Sequence, residues 1–258
     1  TVNADIVTSP SADDNIYISY TCGSARGIKF TAECSGSSLD ICEQVSLARI
    51  LGIGIRAGRL TVKLPVKKYA SLSLKNVSGN CSGETAEAES FSFNSTSGSG
   101  WFDIKADNIT AATMSGEIGL RNTSGGSSES VSAETVSGKI QLDGLRAANT
   151  RVSSTSGSVS ANGLAGNVEL SSTSGNVSLS FAGWDGDMNI KMTSGKGDIT
   201  LPEGSGIDLD LHLISGSAEI ALGSSEAKLT GSSKITLGEG NIHNVRVNLT
   251  SGKIRIHN

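Results

Sequence analysis

The sequence predicts an all-β chain, a single-domain parallel β-solenoid, and three observations carry that prediction. The dipeptide Ser-Gly returns at Ser78-Gly79, Ser97-Gly98, Ser115-Gly116, Ser137-Gly138, Ser156-Gly157, Ser174-Gly175, Ser194-Gly195, Ser215-Gly216 and Ser251-Gly252. The glycine-to-glycine steps are 19, 18, 22, 19, 18, 20, 21 and 36, the last being two steps around a degenerate Ser232-Ser233. A fixed period near 20 residues marks a stacked repeat fold. Second, each copy is flanked by apolar residues alternating with polar ones. Third, the chain of 258 residues has 32 Gly, only 3 Pro and 4% aromatic residues, which suits many tight bends around a narrow interior.

Residues 1–70 lack the Ser-Gly repeat yet read as strands at Ile16–Tyr20, Ile28–Phe30 and Leu60–Pro65. An exposed solenoid end invites aggregation, so this region is expected to be an N-terminal β cap of atypical first coils. A short helical turn is expected near Glu43 to Ile50.

Residues 71–258 hold the repeats. In the copy from Asn167 to Ser180, Val168 and Leu170 alternate with polar neighbours, then Val177 and Leu179 do the same. Two period-2 strands with one buried face follow, and Ser-Thr-Ser-Gly between them is expected to turn, with glycine free to take positive φ. The register repeats as Ile109/Ala111 with Ile118/Leu120, Val131/Ala133 with Ile140/Leu142, Leu209/Leu211 with Ala218/Ile220, and Val245/Val247 with Ile254/Ile256. The nine Ser-Gly pairs plus the degenerate member give ten expected coils of roughly 19–20 residues. At a strand spacing of about 4.8 Å they make a rod roughly 45–50 Å long, right-handed by the rule for parallel crossovers.

Composition excludes several function classes. A net charge of −4 with dispersed Lys and Arg does not suit a nucleic-acid partner. No apolar run reaches membrane-spanning length and no signal peptide is evident; the start at Thr1 rather than methionine agrees with a removed targeting segment, and membrane attachment is expected only through a segment outside this sequence. Three of the four cysteines, Cys22, Cys34 and Cys42, fall in the cap, and Cys81 takes an inward position. Their spacing is not that of a zinc site, so no metal or other cofactor is expected. One disulfide in the cap with buried thiols elsewhere is the first reading, fully reduced thiols the second. Seven Asn-x-Ser/Thr triplets, at Asn76, Asn80, Asn94, Asn108, Asn122, Asn176 and Asn248, follow from the repeat and do not imply glycosylation. Threonines before Ser-Gly lack the Thr-x-Thr pairing of an ice-binding face.

The opening Ala4-Asp5-Ile6-Val7 with Asp14-Asn15-Ile16-Tyr17-Ile18, the segment Leu60–Pro65 running into Leu72-Ser73-Leu74-Lys75-Asn76-Val77-Ser78-Gly79, and the serial Thr-Ser-Gly copies resemble the bacterial DUF4097 family of candidate adhesins. The resemblance implies an exported, extracytoplasmic β-solenoid of the cell envelope, and it brings no catalytic residues. Two departures stand out: the cysteine-bearing insert from Thr21 to Cys42, and Gly100-Trp101-Phe102, where the strand after Gly98 is expected to be disturbed.

The expected function is therefore that of a non-enzymatic cell-surface scaffold or adhesin holding a glycan or protein partner. Trp101 and Trp184 are the candidate binding residues, because exposed aromatics stack on sugars and anchor interfaces. The plainer alternative is that both pack locally. The competing class is a polysaccharide lyase or hydrolase, which needs carboxylates converging in one groove. Asp208 and Asp210 share one side of a strand, and Asp185 and Asp187 share a loop that has too few ligands for a calcium motif. Solvated edge and turn positions are the preferred reading of all four.

Overall fold

The computed structural model describes residues 4–21, 28–45 and 58–258, and every regular element among them is a strand. In β11 (Asn167–Phe181), Val168 and Leu170 are buried, the chain passes Ser174-Gly175, and Val177 and Leu179 are buried again. The same pattern runs through β8 (Gly100–Arg121), β9 (Ser127–Asp143), β10 (Arg146–Leu164) and β12 (Met188–Thr200). These strands pair parallel and in register, so Val131, Thr150, Val168 and Met188 stack in one inward column and Ile140, Val159 and Val177 in another. Thr150 alone puts a hydroxyl into the first column, where its Oγ1 finds no hydrogen-bond partner.

Ser-Gly does not end a strand in the middle of the stack. It lies inside β8 to β12, between a first face that precedes it and a second face that follows. Five of the nine glycines have φ between 106° and 142°, namely Gly79, Gly175, Gly195, Gly216 and Gly252; Gly98, Gly116, Gly138 and Gly157 fall outside the left-handed range. What all nine share is a neighbour. A Cβ on Gly157 would strike the carbonyl oxygen of Gly138, one on Gly138 that of Gly116, and one on Gly175 that of Gly157. The glycines are thus required by close backbone approach between coils more than by turn geometry. The true turns are the corners between coils, where Gly125, Gly126, Gly144, Gly166 and Gly204 all have positive φ. Buried Asp103 pins one such corner by accepting bonds from the backbone N–H and hydroxyl of Thr123.

The order of coils departs from the order of the chain. β13 (Gly206–Leu213) and β14 (Ser217–Leu222) form the last parallel coil, but they do not pair with β12. β17 (Ile242–Leu249) and β18 (Lys253–His257) lie between, pairing β12 on one side and β13 and β14 on the other. A Cβ on Gly252 would meet Gly195, and one on Gly216 would meet Gly252. The expected coil at Ser232-Ser233 is not formed. β15 (Ser225–Leu229) and β16 (Ser233–Gly238) run antiparallel to β14 and β13 and close the end of the stack. Ser232 cannot join the glycine spine; its hydroxyl instead accepts a bond from the Leu213 N–H at 3.1 Å.

At the other end, β1 (Ala4–Pro10) belongs to the stack itself: it pairs parallel with β7 (Cys81–Ser95) and with β5 (Gly58–Leu64), and the antiparallel β2 (Tyr17–Thr21) follows β5. β6 (Lys68–Asn76) pairs parallel with β7 on the first face, and β3 (Ile28–Ser35) with β4 (Ser38–Val45) makes a separate antiparallel hairpin. Within the expected helical turn, Glu43 to Val45 are strand, and residues 46–50 lie outside the described residues. Gly100-Trp101-Phe102 keeps register with Cys81-Ser82-Gly83, and the expected disturbance comes directly after it, as a register shift between Gly83 and Ala86. Gly100 leaves room for the Phe93 ring, and Phe102 packs against Phe91 and Phe93 at centroid distances of 5.0 and 5.1 Å.

Cys34, Cys42 and Cys81 are free thiols, so the cap disulfide is not formed among them; Cys22 lies outside the described residues. Cys34 and Cys42 sit opposite Leu39 and Thr31 in the hairpin, three rungs apart and hence on opposite faces. Cys81 is buried, and loss of solvent pushes its thiol up to about 11.

Three outcomes follow from this packing. Val177→Asp places an unpaired charge in the interior and should cost several kcal/mol in chemical denaturation, whereas an unchanged midpoint would refute the register. Gly157→Ala should lose more than about 1 kcal/mol although its φ permits alanine, while Gly125→Ala, which meets no atom within 4 Å, should be affected only through its φ of 73°. Maleimide at pH 8 should label Cys34 and Cys42 in the folded protein and reach Cys81 only on unfolding, as read by peptide mapping.

Candidate binding surface

The outward residues of the first face follow from the same alternation that buries their neighbours. Between the inward columns lies the row Ser132, Arg151, Glu169, Asn189, Arg246 and Asp210, one residue per coil in spatial order. Beside it runs Ser130, Asn149, Asn167, Asp187, Asn244 and Asp208, which the pairing of Asn149 with Ser130 and Asn167, and of Asp208 with Asn244, brings into line. The two rows line an open groove of about 960 Å³ across β9, β10, β11, β12, β17 and β13, with Lys234 of β16 at one end.

Hydrogen bonds tie neighbouring coils along both rows. Arg151 donates from Nε and Nη2 to Glu169 Oε2 at 3.0 and 2.6 Å. Asp210 meets three cationic or ionisable groups, Arg246 at 3.5 Å, Lys234 at 3.6 Å and His212 at 3.2 Å. In the second row Asn167 Nδ2 donates to Asn149 Oδ1 at 3.2 Å, and Asn167 Oδ1 accepts from the Asp187 N–H at 2.9 Å. Asp187 accepts in turn from the backbone and side-chain nitrogens of Asn244, both at 3.1 Å. Asn189, in the middle of the charged row, has a side-chain oxygen with no partner.

The expected pair Asp208 and Asp210 therefore does come together with Lys234 and Arg246 in one groove. Asp185 and Asp187 separate in role: Asp185 accepts from the Gly166 N–H at 3.0 Å across a corner, and Asp187 joins the groove. Among the described residues no three His, Cys, Asp or Glu side chains gather closely enough to hold a metal ion. Away from the groove, exposed ion pairs also link coils. The bond to Asp107 raises the Lys68 ammonium, and the bond to Lys253 holds the Glu219 carboxyl low.

Neither tryptophan lines the groove. Trp101 is 44% exposed on the second face, its ring lying over Gly119 of the next coil, where a Cβ would collide with it. Trp184 is partly buried at the corner after β11, stacked on Phe181 at 5.5 Å and His243 at 4.6 Å. Beyond Asp187, Asp208 and Asp210, sequence reasoning does not single out the polar rows. Their signal was present in the outward partners of each apolar alternation, Asn149, Arg151, Asn167, Asn189, Asn244 and Arg246, but which of them become neighbours depends on the order of the coils.

No curated protein matches the chain. Among solved structures, a candidate cell adhesion protein from Clostridium sporogenes ATCC 15579, determined at 1.95 Å, is 11% identical. That alignment covers 99% of this chain and 88% of the other, and its TM-score of 0.22 is too low to bear on fold or site. The sequence profile is decisive where that superposition is not: the pattern of the Toastrack family, DUF4097, matches residues 1–257, so this chain belongs to the Toastrack DUF4097 family.

Proposed function

We propose that the chain is a non-enzymatic protein of the bacterial cell envelope, an adhesin-like scaffold that holds a surface glycan or protein partner through side chains repeated over several coils. The observation that carries this reading is the in-register stack, which repeats outward positions at strand spacing across β9 to β13 and β17. Repeated weak contacts on a rigid support give avidity without a deep pocket. Of the two tryptophans, Trp101 on the second face is the one such a partner can reach directly, while Trp184 is held against Phe181 and His243. Loss of Trp101 alone weakens such binding without abolishing it.

A polysaccharide-cleaving enzyme is the second reading, favoured by Asp208 and Asp210 facing one groove beside Lys234 and Arg246. Against it, Asp210 already sits in ion pairs with Arg246, Lys234 and His212 and its Oδ1, which accepts no hydrogen bond, is buried, and Asp187 is committed to Asn244. General acid–base work needs a carboxyl free to exchange its proton with the substrate. Incubation with acidic and neutral polysaccharides should release no reducing or unsaturated ends. Release that disappears in Asp208→Asn or Asp210→Asn would establish the enzyme instead.

A further inference from the structure

We propose that the groove on the first face is a cleft for a neutral, linear polysaccharide lying along the stack, across the strands rather than parallel to them. The inference rests on the scaffold reading above, names the ligand class, and assigns it a surface of its own on the first face, apart from Trp101 on the second. Its first support is shape. The cleft is open, about 960 Å³ in volume, and runs over six neighbouring strands, which suits an extended polymer better than a compact small molecule.

Its second support is charge. Three cations, Arg151, Arg246 and Lys234, face four carboxylates, Glu169, Asp187, Asp208 and Asp210. The near balance offers no field to attract a polyanion, and binding of nucleic acid or an acidic glycan requires a clear excess of positive charge.

Its third support is hydrogen-bonding chemistry. Asn149, Asn167, Asn189 and Asn244 bring planar amides to the cleft, and Arg151 and Arg246 guanidinium forks, each keeping N–H groups beyond those already bonded to Asn149, Asp187, Glu169 and Asp210. Such groups pair with the vicinal hydroxyls of a sugar ring, each supplying donors and acceptors in one plane. The groups recur at about 4.8 Å from coil to coil, a step comparable with the advance of one pyranose ring along a linear chain. No aromatic side chain lines the cleft, so affinity at each ring is modest and accumulates along the polymer.

Native electrophoresis of the whole chain through gels containing galactomannan, mixed-linkage β-glucan or polygalacturonate tests the proposal. At least one neutral polymer should retard the protein, and the double variant Asn189→Ala/Arg246→Ala should weaken that retardation about tenfold at an unchanged melting temperature. Thr155→Ala/Thr173→Ala, on the exposed ridge beside the glycines, should behave as the parent. If the double variant melts early, Ser132→Trp, which fills the cleft sterically, takes its place. Retardation by polygalacturonate alone, equal retardation of parent and cleft variants, or no retardation by either neutral polymer would overturn the proposal. Adhesion to bacterial cells or matrix protein that persists in the cleft variants would overturn the cleft while leaving the scaffold reading standing, and release of sugar ends would overturn the scaffold reading itself.

Discussion

Everything in this molecule depends on how closely two backbones approach at the bend of each coil. Parallel strands stacked in register bring the carbonyl of one glycine to the place where the next coil would carry a Cβ. Only glycine can occupy that line, and because the collision is with backbone oxygen, no change of rotamer relieves it. The spine therefore fixes the register of every coil at one point. Once it is fixed, period-2 alternation delivers the inward columns on both faces, since a slip by one residue would turn every apolar side chain outward.

The close approach also shapes what lies beside it. The residue three before each spine glycine points inward under the bend and is small in the middle coils, with Thr113, Thr135, Ser154 and Ser172 in line. Several of these hydroxyls are buried without a partner, among them those of Thr135, Ser154 and Ser172. Toward the C-terminal end the column becomes Met192, Leu249 and Leu213, and the interior turns fully apolar. Tight backbone contact thus carries a cost in unsatisfied polar groups that the surrounding apolar columns must offset.

The sequence made the inward set legible for a simple physical reason. Burial on one face imposes a period of two, and Val168, Leu170, Val177 and Leu179 display it without reference to any neighbour. Neighbour relations are another matter. A parallel strand accepts any in-register partner with the same pattern, so nothing local in Val245–Ile256 says that it pairs with Met188–Thr200 rather than following Leu209–Ile220. The groove was hidden for the same reason, because Asn189 and Arg246 become adjacent only through that pairing. Ser-Gly was visible as a repeat but read as a turn. The signal that it marks backbone contact was its persistence where φ allows other residues, as at Gly138 and Gly157.

The inserted C-terminal coil has a consequence for how the molecule comes into being and how its family can lengthen. During synthesis, β13 to β16 leave the ribosome before β17 and β18, yet their place in the stack lies beyond strands that do not yet exist. β17 and β18 sit like a keystone between the two portions, so the far end gains its backbone partners only once they are in place. Between Gly79 and Gly195 each repeat follows its predecessor in space as well as in sequence, so an extra coil there would leave the order of its neighbours unchanged.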